Sequence, residues 1–331
     1  MKPAANASSS VAPRWQSLSR DGLAKLFGTA PSRIPDSCVE LIKKNDFRYR
    51  ELAGTERDAA ILAVLKRVGS KDLTVAGDSG ARDRWEKGWG ENLSLLESGG
   101  SGLASLTPKY IRPNPTLRLN QNYIKSFDPE FELNWYQIFS RWLFLQYLSD
   151  VDVIYEFGCG SGINVATLAR LFPKKKIVGL DWAKSSKRII ENLAAQYGWN
   201  VEGHVFDFFH PDKGIRLARN SAVLTVGALE QTGTRYGAFV RYLLDASPEI
   251  CVNVEPICEW YDPENLVDHL AIMFHRRRGY WQNFPQLLQG LEAKHKLEIL
   301  KMKRSFFGSE FIEGYSQTIW KPFGRGRGAS R

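Results

Sequence analysis

Residues 153–162 read Val-Ile-Tyr-Glu-Phe-Gly-Cys-Gly-Ser-Gly, and their types and spacing could do chemistry. An apolar run ends in Glu156, and glycines follow at every second position: Gly158, Gly160 and Gly162. A helical pattern begins directly after them. A strand, a glycine turn and a helix start let a ligand lie against bare backbone, because no side chain intervenes. The free N–H groups at the helix start face that ligand. A dinucleotide-binding turn would read G-x-G-x-x-G, but Ile163 occupies the position of its last glycine. Two more acids follow in register. A strand over 176–180 ends in Asp181, and one over about 201–206 ends in Asp207. In an open α/β sheet the carboxyl ends of the strands line the ligand crevice. One carboxylate there can accept both hydroxyls of a ribose, and another can receive an amino group.

On these residues the segment 151–255 resembles the cofactor half of the class I S-adenosylmethionine-dependent methyltransferases. The resemblance implies S-adenosyl-L-methionine as cofactor. It places Glu156, Gly158, Gly160 and Gly162 beneath the methionine part, Asp181 on the ribose hydroxyls, and Asp207 with Phe208 at the adenine. Trp182, next to Asp181, either flanks the adenine face or is a core tryptophan at a strand end.

The elements that must position these residues alternate regularly. Helices are expected over about 163–172, 184–197, 235–246 and 284–294, and strands over 222–226, 250–254, 297–303 and 316–320. Another helix has Asp262 as its cap, Pro263 in its first turn and Gly279 at its end. Residues 131–148 are too often interrupted by polar side chains to span a membrane and predict a helix buried on most sides. The expected fold is therefore α/β: a Rossmann-like, seven-stranded, mostly parallel sheet with helices on both faces and an N-terminal, mostly helical cap. The expected zones are a disordered N-terminus (1–20), a cap or lid (21–130), the methyltransferase domain (131–322) and a basic disordered tail (323–331). In the cap, helical patterns stand near 36–44 and 55–68.

The 331 residues carry a net charge of +9, of which Lys321, Arg325, Arg327 and Arg331 supply four. The remaining balance permits an acidic or phosphate-bearing partner without requiring one. The four cysteines form no C-x-x-C pair, so neither a zinc site nor a redox motif is expected. Free thiols suit a reducing compartment, and the expected location is the cytoplasm. Residues 1–20 lack the apolar block of a secretory signal, but are free of acids and rich in serine, as in organelle transit peptides.

Methyl transfer from a sulfonium is an in-line displacement, so the protein must hold the acceptor in line and exclude water. An alcohol acceptor also profits from a general base. The expected candidates are Glu230 and Glu255, after the fourth and fifth strands, and His275, the histidine best suited to proton removal. Each has a structural alternative: a solvated loop acid, a salt bridge, and a helix C-terminal cation. Arg276–Arg278 could bind phosphate or simply complement the helix dipole. The segment 111–123, with Arg112, Arg118, Asn120 and Tyr123, is a candidate lid or acceptor surface. No Asn/Asp-Pro-Pro-Tyr motif follows the fourth strand, no second glutamate joins Glu230, and Cys258 lacks the setting of a nucleophile. The run from Glu255 through Tyr261 to Tyr280 is similar to bacterial sugar O-methyltransferases. That likeness implies oxygen methylation of a carbohydrate or other small molecule. The alternatives are a nucleic-acid or protein methyltransferase, to which the Gly324–Gly328 tail would lend nonspecific phosphate attraction, and a non-catalytic scaffold of the same fold.

Overall fold

The computed structural model of the protein describes residues 14–99, 102–113 and 116–323. The expectations for residues 1–13 and for the basic tail from 324 onward lie outside these. In chain order the elements are β1 (Gln16–Ser17), α1 (Arg20–Phe27), α2 (Asp36–Lys44), β2 (Arg48–Glu51), α3 (Gly54–Gly69), α4 (Ala81–Glu97), β3 (Thr116–Leu119) and β4 (Asn122–Ser126). The second part comprises α5 (Phe131–Tyr147), β5 (Val153–Phe157), α6 (Ile163–Leu171), β6 (Lys176–Asp181), α7 (Lys184–Tyr197), β7 (Val201–Val205) and β8 (Ser221–Val226). It ends with α8 (Gly237–Ala246), β9 (Ile250–Val254), α9 (Leu266–Arg278), α10 (Phe284–Glu292), β10 (Leu297–Lys303), β11 (Phe307–Ser309) and β12 (Gln317–Pro322).

Seven strands form one sheet in the order β10-β12-β9-β8-β5-β6-β7. The pairs among β9, β8, β5, β6 and β7 are parallel, whereas β12 runs antiparallel to both neighbours. Central strands such as β5 and β8 are almost continuously buried, as expected of strands covered on both faces. One face packs on α5, α6 and α7 through Trp135, Phe139, Leu168, Ile189 and Leu193. The other packs on α8 and α10 through Phe239, Leu243, Phe284 and Leu288. Each fully buried phenylalanine or leucine contributes about 1.5–3 kcal/mol relative to exposure. Strand order reverses between β5 and β8, and the crevice outside that point is where ligands bind in such sheets. No helix among the described residues is long and apolar enough to cross a membrane.

Among the described residues the N-terminal region holds four α-helices, but also a feature that periodicity did not predict. A second, antiparallel sheet runs β1-β2-β4-β3-β11. Its last strand comes from the C-terminal part of the chain and pairs Phe307 with Leu119. The staple between the two parts is ionic. Arg118 on β3, fully buried, donates to Asp268 Oδ1 at 2.6 Å and to the Val267 carbonyl at 2.7 Å. Arg304 donates to both Asp268 oxygens at 2.7 Å and to Glu313 at 2.6 and 2.8 Å. Both guanidinium groups lie over the Tyr261 ring. Arg118, a candidate acceptor-surface residue in the sequence, is therefore a structural ion. The expected cap of α9 is also corrected. Asn265, not Asp262, accepts from the Asp268 N–H, while Gly279 closes the helix as expected, with φ of 62°.

Candidate functional site

The glycine turn is pinned to its neighbour strand. The Gly158 and Cys159 N–H groups donate to the Leu180 carbonyl at 2.7 and 3.1 Å, and the Gly160 N–H donates to Asp181 Oδ2 at 2.9 Å. Gly158 has φ of 78° and Gly160 φ of 51°. A Cβ on Gly158 would overlap the Cβ of Ala228, and one on Gly160 would stand 2.7 Å from the Trp89 ring. Only glycine fits either position.

Glu156 is 1 % exposed. Its Oε1 accepts from Asn164 Nδ2 at 2.7 Å, while Oε2 is buried with no partner among the described residues. Burial pushes its carboxyl up to about 8, against the Asn164 hydrogen bond and helped by the charge of Asp181. Asp181 is pushed up to about 6 by burial, opposed by the N–H groups of Ala183 and Gly160. Each of its oxygens keeps a lone pair for a further donor. A recess open to solvent adjoins this turn. Gly158, Asp181, Trp182, Phe208, Phe209, Gly227 and Ala228 line it together with Trp85 and Trp89.

Trp182 and Phe208 both line the recess. Asp207 turns instead into its own loop, accepting from the Phe209 N–H at 2.8 Å. Helix α4 did not emerge from the sequence, because Gly88 and Gly90 interrupt a strongly charged stretch. Its Trp85 and Trp89, stacked at 5.2 Å, cover the glycine turn. Its Glu86 accepts from the Lys184 and Ser185 N–H groups at the start of α7, at 2.6 and 3.0 Å, where a carboxylate complements the helix dipole. The Trp-x-x-x-Trp spacing, which sets both rings on one helix face, was the available signal.

The expected bases have other tasks. Glu255 is fully buried, and its carboxylate accepts from the N–H groups of Ala228, Leu229 and Glu230 at 3.1–3.3 Å. It holds the short helical turn Leu229–Thr232 after β8. Burial, then the charge of Glu230, push its carboxyl well above the usual range. Glu230 accepts from Gln231 Nε2 at 2.8 Å through Oε1, and its buried Oε2 has no partner among the described residues. His275 is fully buried behind Trp281, whose carbonyl lies 2.7 Å from Nε2. A carbonyl only accepts, so Nε2 carries the proton. Burial lowers the His275 value against that hydrogen bond, so it is neither a helix-end cation nor open to an acceptor. Arg278 donates to Thr74 and to Gln231, so it docks the chain ahead of α4.

A second group lies on the α5 side. Tyr315 donates to Glu132 Oε1 at 3.0 Å. Tyr136, one turn after Glu132, donates to Asn164 Oδ1 at 2.5 Å and so connects to Glu156. The Tyr136 and Tyr315 rings lie 5.5 Å apart. Burial pushes Glu132 up to about 7, against the Tyr315 hydrogen bond. None of these three side chains stood out in the sequence, because Glu132 is one of several polar residues in that helix pattern and Tyr315 sits in a loop.

These raised carboxyls make stability fall with pH. Each binds its proton more tightly folded than unfolded, so its contribution is complete below the unfolded value near ~4 and is lost as pH rises through the folded one. His275, shifted the other way, opposes this only below about 6.5. The thermal midpoint of the ligand-free protein is therefore expected to fall between about pH 6.5 and 8, above the range in which His275 opposes and up to the folded values of Glu132 and Glu156. Glu156→Gln should flatten that slope; an equal slope in the variant would contradict the placement.

The chain matches no protein family model. It also matches no curated protein. It is similar to solved structures. The [4+2]-cyclase SpnF shares 14 % identity over 76 % of this chain and 98 % of that one, with a TM-score of 0.46. The 16S rRNA methyltransferase RmtF in complex with S-adenosyl-L-homocysteine shares 13 % over 92 % and 98 %, with 0.43. The N-terminal domain of EvdMO1 with SAH bound shares 20 % over 56 % and 79 %, with 0.37. Likeness this distant carries no function, which has to come from the geometry of this chain.

Proposed function

We propose that this chain is a class I S-adenosylmethionine-dependent methyltransferase that methylates an oxygen of a sugar or other small-molecule acceptor. The observation that carries the reading is the unpartnered, buried Glu156 Oε2 beside a turn that admits only glycine. A buried carboxylate oxygen without a partner costs free energy unless a ligand donor reaches it. The ammonium of a methionine moiety is such a donor. Asp181, with a free lone pair on each oxygen, would hold the ribose hydroxyls. Trp182 and Phe208 would bound the adenine, and Trp85 with Trp89 would exclude water from above. When bound, the cofactor supplies an activated methyl group on a sulfonium. The residues of this chain orient it and keep the site dry.

The test is calorimetry with S-adenosylhomocysteine on the wild type and on Asp181→Ala. Micromolar binding is expected for the wild type. In the variant it should fall roughly 100-fold or more, since hydrogen bonds to a charged group contribute about 1.5–3 kcal/mol each. A folded wild type that fails to bind would favour the non-catalytic scaffold.

A further inference from the structure

The recess beside the glycine turn is walled by aromatic rings and a single acid. Trp85, Trp89, Trp182, Phe208 and Phe209 supply the rings, and Asp181 supplies the acid. Among the described residues no lysine, arginine or histidine lines it. Two arginines touch lining residues from outside, and each is engaged by a backbone carbonyl. Arg82 donates to that of Trp182 at 3.3 Å, and Arg235 to that of Gly77 at 2.6 Å. The turn itself keeps little positive charge for a ligand. The N–H groups of Gly158 and Cys159 donate to the Leu180 carbonyl, that of Gly160 to Asp181 and that of Gly162 to the Cys159 carbonyl. Ring faces and a carboxylate carry negative potential, so walls of this kind attract positive charge.

Two of the rings are placed on the turn. Trp85 and Trp89 stack with centroids 5.2 Å apart and planes 20° apart. Trp89 stands where a side chain of residue 160 would be. A Cβ on Gly160 would lie 2.7, 3.0 and 3.2 Å from three carbons of its six-membered ring. Helix α4 is held in this place from both ends of its contact with α7. Glu86 accepts from the N–H groups of Lys184 and Ser185, and Arg188 donates to Glu97 at 2.8 Å. Rings fixed in advance lose little freedom when a ligand arrives. Among the described residues no lysine or arginine lies over Trp85, Trp89 or Trp182. The protein thus leaves these rings without a cation of its own.

On the methyltransferase reading above, we infer that Trp89, backed by Trp85, selects the charged form of the cofactor: its ring holds the positive sulfonium of S-adenosylmethionine and discriminates against the neutral thioether of S-adenosylhomocysteine. The two ligands differ by one methyl group and one charge, and only the charge interacts with the quadrupole of an indole. Asp181 adds to the preference. Burial holds its carboxyl at about 6, so it is ionised at neutral pH. A desolvated contact between a cation and tryptophan corresponds to roughly 10–30-fold in affinity. The neutral product left after methyl transfer lacks that attraction, so the same rings that favour uptake of the cofactor favour release of its product.

The experiment is calorimetry on the full chain at neutral pH with three probes. They are S-adenosylmethionine, S-adenosylhomocysteine and sinefungin, which carries an ammonium group on carbon in place of the sulfonium. The wild type is expected to bind both cations about tenfold or more tighter than the thioether. Trp89→Leu keeps an apolar side chain against Gly160 but no ring. It should lose about tenfold for the two cations and change thioether binding by less than about threefold. Trp89→Phe keeps a smaller ring, and its ratio of cation to thioether affinity should fall between the two. Equal affinity of the wild type for all three probes would overturn the inference, and so would an equal loss for all three in Trp89→Leu. If Trp89→Leu does not fold, Trp89→Phe decides, and a ratio equal to that of the wild type counts against the inference. A folded wild type that binds none of the three would instead overturn the cofactor reading on which it rests.

Discussion

Replacing Gly158 by alanine is expected to abolish S-adenosylhomocysteine binding and to destabilise the protein by about 2–4 kcal/mol. Two costs add. The residue sits at φ of 78°, where a non-glycine side chain is strained. The new Cβ would also overlap the Ala228 Cβ, so the β5 and β8 ends must move apart. Overpacking of this kind costs about 1–3 kcal/mol. Binding should suffer more than stability, because that shift opens the turn which carries Glu156 and aims the Gly160 N–H at Asp181. Gly198→Ala is the control. It shares a positive φ, 65°, but its Cβ would meet nothing within 4 Å. It should cost only about 1–2 kcal/mol and bind normally. Denaturant titration and calorimetry on both variants decide the matter. Tight binding by Gly158→Ala would remove the turn from the site.

The largest effect on folding is expected at Asp268. Its carboxylate answers Arg118, Arg304, Gln121 and the Asp262 N–H inside a closed interior. Burial pulls its carboxyl upward, but the Arg304 hydrogen bond, then those from Asp262 and Gln121, outweigh that and hold it below the usual value. Asp268→Ala leaves two guanidinium groups with Glu313 alone. Breaking a buried ion network at one member costs about 3–5 kcal/mol. The midpoint of denaturant unfolding should fall accordingly. The sign with pH is the usual one for a depressed carboxyl. The stabilisation is present above the unfolded value near ~3.9 and is lost as pH falls through the lower folded one. The variant should therefore show less acid sensitivity than the wild type. A variant as stable as the wild type would mean that water reaches the network.

Much of the fold was legible because period and punctuation agree in the core. Strands β5, β6 and β8 are short apolar runs that end in an acid or a glycine, and α7 ends at Gly198 where its pattern stops. The observed bounds of α6, α7, α8 and α10 fall within a few residues of the expected ones. The N-terminal sheet was not legible. Its strands have two to five residues, too few for an alternation to show, and one partner lies some two hundred residues away.

Local sequence by itself determined the glycine turn and the acids beside it. The strand–glycine–helix turn, Glu156 and Asp181 lie within one stretch of chain, and their geometry follows from short-range backbone constraints. Only the tertiary structure decided the buried polar chain beside it. Glu132, Tyr136, Asn164 and Tyr315 meet from two helices and a loop, and nothing in their spacing announces it. Only the tertiary structure, too, gave Glu255 and His275 their backbone partners, since their roles depend on which backbone groups come to lie against them. A carboxylate at a strand end reads alike in sequence whether it faces a ligand or three N–H groups. The difference is a matter of packing, and packing is decided by residues far apart in the chain.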